Sequence, residues 1–134
     1  MSGFNRERVE TLLGSDAFAN RLGIKLVQVT PDELEVALDL TDEHANFYGM
    51  THGGVVFSIA DCAFALASNS AGDRAVAIDT HLVVTAATGP GDRLTARVRE
   101  VSRGRTLGTY RAEVMRGDGR VVGLFTGTVH ISAG

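Results

Sequence analysis

The sequence has 134 residues, of which 44% are hydrophobic and 22% charged, and its formal net charge is −3 at pH 7. This composition predicts a soluble globular protein with one domain over residues 1–134, and the acidic balance argues against non-specific nucleic-acid binding. No apolar run reaches the roughly 18–20 residues of a membrane span, and we expect a cytoplasmic protein without a secretory signal. Cys62 is the single cysteine and the histidines are scattered, so neither a disulfide nor a metal site is expected.

The first forty residues predict a helical region followed by two strands. Residues 6–23 show an amphipathic helical pattern that ends at Gly23. Residues 24–30 predict a strand, and a Pro-Asp turn follows it. Residues 33–40 alternate apolar and mainly acidic side chains, which predicts a strand buried on one face.

A loop over residues 41–51 precedes a long apolar helix, and four strand-like segments follow the helix. Turns at GPGD, SRGR and RGDG separate these segments, which are AVAIDTHLVVT, RLTARVREVS, TLGTYRAEVMR and RVVGLFTGTVHIS. Their spacing predicts an antiparallel meander. A helix that is apolar nearly all round must be covered nearly all round, so we expect an α+β hotdog fold, a curved antiparallel sheet wrapped around the long helix.

One carboxylate, Asp61, interrupts the apolar helix. A carboxylate in such a helix costs free energy unless it is hydrogen-bonded or faces a cleft. At about 100° per residue, it shares one narrow stripe with small or weakly polar residues, namely Gly54, Ser58, Ala65 and Ser68. This stripe is a candidate wall of a substrate cleft. The alternative is structural, with Asp61 capping a backbone N–H or pairing with an arginine.

The helix starts at the sequence THGG, residues 51–54. Glycine allows a ligand to approach the backbone, and the first N–H groups of a helix lack intrahelical partners, so this end is a candidate oxyanion hole. The alternative is that Gly53 and Gly54 only permit a tight turn beneath the sheet. Gly53 and Asp61 are separated by roughly 12 Å along one helix, so a single carbonyl cannot touch both. If both act on one bond, the site lies at a dimer interface.

Taken together, these motifs resemble the PaaI-type, or phenylacetate-pathway, branch of the hotdog acyl-CoA thioesterases. The resemblance covers nearly the whole chain and is weakest over the first twenty residues. It rests on Asn46, His52-Gly53-Gly54, Ala60-Asp61, Ala63-Phe64-Ala65 and Asn69-Ser70, and on GDRLTARV, RGRTLGTY and GRVVGLFTGT downstream. It implies hydrolysis of acyl-CoA by a homodimer within a homotetramer, with no cofactor besides the coenzyme A of the substrate.

The resemblance also implies a role for each matching residue. Asp61 corresponds to the catalytic carboxylate, acting as general base or as nucleophile. The Gly53 N–H polarises the thioester carbonyl, and Asn46 holds the thioester or the attacking water. His52 has a positioning role. Substrate contacts are also expected from the rest of the helix stripe and from the preceding loop, through Gly54, Ser58, Phe47, Ala65 and Ser68.

The chain departs from this family where an Arg-Pro or Lys-Pro pair is common, because Thr85-Ala86 stands there. No phosphate contact is carried over to that position. Arg103 and Arg105 are candidate substitutes, and the alternative for both is a solvated turn.

The acyl group stays open at the sequence level. Apolar side chains either line a pocket for an aromatic acetyl or medium-chain group or belong to the core, and these are Phe47 or Tyr48 in the loop and Val55, Phe57, Ile59 and Phe64 in the helix. Cys62 is interpreted as a packing residue, since the adjacent Asp61 disfavours its thiolate.

Two other functions are open alternatives at the sequence level. A hotdog hydratase or dehydratase would need a paired acid and base, for which Asp61 and His52 are candidates, but the hydratase-type Asp-x-Asn-Pro-x-His loop is absent. A non-enzymatic acyl-CoA-binding module would explain a groove but not a costly carboxylate facing it.

Overall fold

The computed structural model describes residues 3–133. The elements in chain order are α1 (Arg6–Gly14), α2 (Ala17–Leu22), β1 (Lys25–Val29), β2 (Leu34–Asp39), a 3-10 turn (Asp42–His44), α3 (Gly53–Asn69), β3 (Arg74–Val84), β4 (Arg93–Arg103), β5 (Leu107–Arg116) and β6 (Val121–Ser132). Within the described residues, no helix is long and apolar enough to cross a membrane.

The helical region near the N-terminus divides into two helices because Asp16 starts a new one. Its carboxylate accepts a hydrogen bond from the N–H of Ala19 at 2.9 Å, which caps α2. Gly23 ends α2 in the left-handed conformation, with φ of 94°, as its position in the sequence predicts.

The six strands form one antiparallel sheet in the order β1-β2-β4-β5-β6-β3. The predicted meander is confirmed for β4, β5 and β6, but it is wrong for β3. β3 pairs along β6, from Arg74 opposite Ser132 to Val84 opposite Gly123, while β2 takes the place beside β4. The turn after β3 predicts a reversal of the chain, but turn residues do not specify which strand the chain joins next.

α3 lies in the curve of the sheet, which confirms the predicted α+β hotdog arrangement. Its Phe64 ring is fully buried against Tyr110 and Phe125, with ring centroids 5.9 and 5.4 Å away. Gly127 on β6 faces the same ring, and a Cβ added there would lie only 2.7 Å from the nearest ring atom. The missing side chain at Gly127 therefore permits the close approach of α3 to the sheet.

We expect Gly127→Ala to lower the free energy of unfolding by roughly 1–3 kcal/mol, because the new methyl group must displace a ring in a close-packed core. Gly104→Ala is the matched control, since its nearest Cβ contact would be an ordinary 3.8 Å. Urea unfolding of both variants measures the difference. Equal losses in the two variants would contradict this account of the packing.

Candidate active site

The N-terminus of α3 carries a backbone donor without a partner. The His52 side chain caps the helix, its Nδ1 accepting the Gly54 N–H at 2.8 Å, and the His52 carbonyl accepts the Val55 N–H at 2.9 Å. The Gly53 N–H has no acceptor among residues 3–133, and Gly53 is exposed. The helix dipole adds positive potential at this end, so the Gly53 N–H is suited to stabilise a developing oxyanion.

The two glycines of this turn serve different physical purposes. A Cβ at Gly54 would lie 3.0 Å from Nδ1 of His52, so glycine leaves room for the capping imidazole. A Cβ at Gly53 would meet nothing within 4 Å, so the space beside its N–H is open. The cap fixes the His52 ring at the helix start, and its positioning role in catalysis stays a prediction.

The loop before α3 is organised around Asn46. Its side-chain oxygen accepts hydrogen bonds from the N–H groups of Tyr48 and Met50, at 2.9 and 3.2 Å. The side-chain Nδ2 of Asn46 donates to no acceptor in the described part of the chain. The loop is joined to the helix start because the His52 N–H donates to the carbonyl of His44 at 2.8 Å. Asn46 therefore shapes the loop through its amide oxygen, while its amide nitrogen is without an acceptor among residues 3–133.

A cavity of about 330 Å³ brings Asn46 and Gly53 together at the N-terminal end of α3. Its lining consists of Asn46, Met50, Thr51, Gly53, Val56, Val84, Thr85, Ala86, Ala87 and Thr88. The sequence pattern does not predict most of these residues, because the small side chains after β3 mark only a departure from the family pattern. A second cavity of about 940 Å³ lies at the opposite end of α3, beside Ala67, Ser70 and Arg103.

Asp61 is half-buried on α3 and has no hydrogen-bond or ion-pair partner among residues 3–133. Burial raises the pKa of its carboxyl, and the negative charge of Asp16 raises it further. The structural alternative, in which Asp61 caps a backbone N–H or pairs with an arginine, is therefore not found in the described chain. Asp61 lines neither cavity, and it lies five residues beyond Val56, roughly 140° around the helix.

Four residues of the predicted stripe reach the surface, and Ser68 does not. Gly54 and Ala65 are exposed, while Ser58 is half-buried like Asp61 and donates its hydroxyl to the Gly54 carbonyl at 2.6 Å. Ser68 is only 1% exposed, and its hydroxyl donates to the Ala65 carbonyl. The prediction that Ser68 lies on an open stripe is wrong, because helix periodicity cannot show that other residues cover the last turn of α3.

The guanidinium of Arg103 covers part of the last turn of α3. Arg103 is the last residue of β4, and its Nη1 donates to the Ser68 carbonyl at 3.0 Å and to the Tyr110 hydroxyl at 2.7 Å. The alternative of a solvated turn is wrong for Arg103, whose side chain points inward. Arg105 is exposed in the turn, which agrees with the solvated alternative for this residue, and its contact with a phosphate stays a prediction.

The apolar residues named for an acyl pocket are distributed differently from that expectation. The helix residues Val55, Ile59 and Phe64 are buried in the core, which favours the structural alternative for them. Phe47 is 91% exposed and stacks at a tilt on Tyr48, with ring centroids 4.7 Å apart, outside both cavities.

Cys62 is buried in the core cluster. Burial, with smaller effects from the charges of Asp16 and Asp61, raises the pKa of its thiol to about 12. A thiol that stays protonated in this way is a poor nucleophile, in agreement with a packing role.

Comparison with known proteins identifies the family. The profile of the thioesterase superfamily matches residues 48–123, more than half of the chain. The chain belongs to the thioesterase superfamily. It is a thioester hydrolase with a PaaI-like hotdog fold. Neither of the two alternative functions, the hydratase and the non-enzymatic binding module, is supported by this membership.

Relatives of this thioesterase include the acyl-coenzyme A thioesterase PaaI of Escherichia coli K12, which is 32% identical over 92% of this chain and 89% of its own length. The solved structure of the E. coli PaaI protein from the phenylacetic acid degradation operon has a TM-score of 0.91, covering 96% of this chain and 93% of that one. A mutant of the phenylacetic acid degradation protein PaaI of Thermus thermophilus is 42% identical, with a TM-score of 0.81 over 86% of this chain and 98% of that one. A Streptococcus mutans protein bound to acetyl-CoA is 26% identical, with a TM-score of 0.79 over 83% of this chain and 90% of that one.

We expect Asp61→Asn to raise the melting temperature of the thioesterase at pH 7. Because the folded-state pKa of Asp61 is raised, ionised Asp61 destabilises the fold relative to a neutral side chain of the same shape. The gain is complete above the raised pKa, decreases as the pH falls from there towards the ordinary value of 3.8, and is absent below that value. Melting curves of the wild type and the variant between pH 3 and 8 measure this, and a gain that does not change with pH would contradict it.

Proposed function

We propose that this thioesterase hydrolyses acyl-CoA to a free acid and CoA, at a site that two subunits share. The observation that carries the proposal is a pair of groups on one helix that have no partner among residues 3–133, the half-buried carboxylate of Asp61 and the N–H of Gly53. The substrate class is supported by the name of the E. coli relative, an acyl-CoA thioesterase, and by the acetyl-CoA bound to the S. mutans neighbour.

In the proposed reaction, the thioester carbonyl accepts hydrogen bonds from the Gly53 N–H and the Asn46 amide. Asp61 removes a proton from water as the water oxygen bonds to the carbonyl carbon. The carbon–sulfur bond then breaks, CoA leaves as a thiolate, and the proton held by Asp61 passes to it. The alternative course is direct attack by the Asp61 carboxylate, which forms a mixed anhydride that water hydrolyses. A thiolate is a good leaving group, so neither course needs a second acid or a cofactor.

The separation of Asp61 from the donors supports a site made by two subunits. One carbonyl at the Gly53 N–H cannot also touch Asp61, which lies roughly 12 Å further along α3. The carboxylate that completes the site around Gly53 and Asn46 must therefore come from another copy of the chain.

The edges of the sheet support association through β3. β3 has 11 residues, and no other described strand pairs with its outer edge. Its apolar side chains Val76, Ile78, Val83 and Val84 are 44–58% exposed. A long apolar edge is a template for pairing with another strand. The opposite edge, β1, has only five residues, an irregularity at Val27 and a lysine, which are common protections against pairing. We propose that β3 joins two copies into a dimer, with a dimer of dimers as in the PaaI-type resemblance.

We further propose an arylacetyl or medium-chain acyl group as substrate and the cytoplasm as location. The two PaaI relatives named for phenylacetic acid degradation support the arylacetyl group. The buried free thiol of Cys62 is compatible with a reducing compartment.

We expect Asp61→Asn to lower kcat for acyl-CoA hydrolysis by roughly 10²-fold or more, because the amide keeps the shape of the side chain but cannot act as a base. Asp32→Asn, in an exposed turn, is the matched control and should retain wild-type turnover. Release of free thiol measures both variants. Near-normal turnover by a folded Asp61→Asn enzyme would remove Asp61 from the mechanism.

Mixing two inactive variants tests the shared site. Asn46→Asp keeps an oxygen acceptor for the loop N–H groups but loses the Nδ2 donor, and Asp61→Asn loses the base. When the two variants are unfolded together and refolded, a mixed dimer has one site with both lesions and one intact site. We expect activity to return to as much as about a quarter of the wild-type level, since half of the dimers are mixed.

The control for this experiment is each variant refolded alone, which should stay inactive. Differently tagged chains recovered together in a pull-down establish that mixed dimers form. Mixed dimers without regained thiol release would show that each site lies within one chain.

A further inference from the structure

We infer that the cavity of about 330 Å³ beside Gly53 is the acyl pocket, and that Ala86 limits the size of the acyl group it accepts. Its small volume favours compact acyl groups, such as phenylacetyl or octanoyl, over long-chain groups. The inference rests on the proposed function, since the acyl group must be attached to a carbonyl that the Gly53 N–H binds.

Position along α3 distinguishes the two cavities. The smaller cavity includes Gly53, whose N–H is the candidate oxyanion donor. The larger cavity reaches α3 at Ala67, which is roughly 21 Å further along the helix. An acyl chain begins one bond from the carbonyl carbon, so only the smaller cavity can receive it.

The smaller cavity offers an apolar surface to a ligand. Met50, Val56 and Val84 contribute apolar side chains, and two nearby hydroxyls are already engaged. The hydroxyl of Thr85 donates to the Val121 carbonyl at 2.8 Å, and that of Thr88 donates to the Thr51 hydroxyl at 2.7 Å. An apolar wall beside the Gly53 N–H and the Asn46 amide suits a carbonyl attached to a hydrocarbon group.

The segment that carries Ala86 is held by hydrogen bonds on both sides. The Thr85 N–H donates to the Val122 carbonyl at 2.9 Å, and the Thr88 carbonyl accepts the Thr51 N–H at 2.9 Å. Between them, the Ala87 carbonyl accepts a hydrogen bond from Nη1 of Arg116 at 3.0 Å. A larger side chain at position 86 should therefore fill the cavity rather than displace the segment.

The volume of the pocket sets the size limit. At about 330 Å³, the cavity is at the small end of the roughly 300–1,000 Å³ range of small-molecule sites. A cavity of this size favours phenylacetyl and octanoyl groups over a palmitoyl group. Ala86 is half-buried with only a methyl group, so its small size preserves this volume.

The test compares wild type, Ala86→Phe and Ala71→Phe on acetyl-, octanoyl-, phenylacetyl- and palmitoyl-CoA by free-thiol release. Ala71 is exposed and borders the larger cavity, so Ala71→Phe is a matched control that adds the same ring elsewhere. We expect Ala86→Phe to lower kcat/KM for phenylacetyl- and octanoyl-CoA by roughly 10–100-fold and for acetyl-CoA by less than about 3-fold. Ala71→Phe should leave the preference unchanged.

A second variant keeps the inference testable if Ala86→Phe does not fold. Val56→Ala enlarges the same cavity, and we expect it to shift the preferred straight chain to a longer one by one or two carbons, about the space of the removed methyl groups. Circular dichroism and melting temperature check that each variant is folded.

The outcomes separate the pocket from the function. Equal loss on all substrates in Ala86→Phe, a changed preference in Ala71→Phe, or a wild type that prefers palmitoyl-CoA would overturn the acyl pocket while leaving a thioesterase. A folded wild type that hydrolyses none of the four thioesters would overturn the proposed function, and the pocket assignment with it.

Discussion

The packing of Phe64 over Gly127 determines how closely α3 can lie against the sheet, and the candidate site depends on that position. The ring fills the space that a side chain on β6 would otherwise occupy, and it contacts Tyr110 and Phe125 on the same surface. Because protein interiors are close-packed, this contact leaves α3 little freedom to move. The N-terminus of α3 is thereby held between the Asn46 loop and the segment that follows β3.

With α3 held in this way, its sides have different environments. The side bearing Val56 closes a cavity next to the free Gly53 N–H. The side bearing Asp61 faces outward, where burial is only partial and no partner is present in the described chain. A partly desolvated carboxylate without a partner lowers stability, and such groups are concentrated at functional sites. The loss of stability caused by the partly buried Asp61 carboxylate has a physical explanation if a second copy of the chain brings substrate to that carboxylate.

Features that depend on local sequence were predictable, and those that depend on remote segments were not. The alternation in β2, the helix end at Gly23 and the Gly53 N–H donor at the start of α3 follow from neighbouring residues. The pairing of β3 with β6 and the inward direction of Arg103 depend on residues far along the chain. No periodicity carries that information, which is why β3 was expected beside β4.

The sequence by itself determined the fold class, the family resemblance and the choice of Asp61 and Gly53, because an apolar helix with one carboxylate and a glycine start is a local pattern. Only the tertiary structure decided which surfaces are open. It removed Ser68 from the stripe, because Arg103 from β4 covers the last turn of α3. It also brought Ala86 next to Gly53, more than thirty residues away in the chain. Cavities form where segments distant in sequence fail to fill space completely, so their lining cannot be deduced from any one segment.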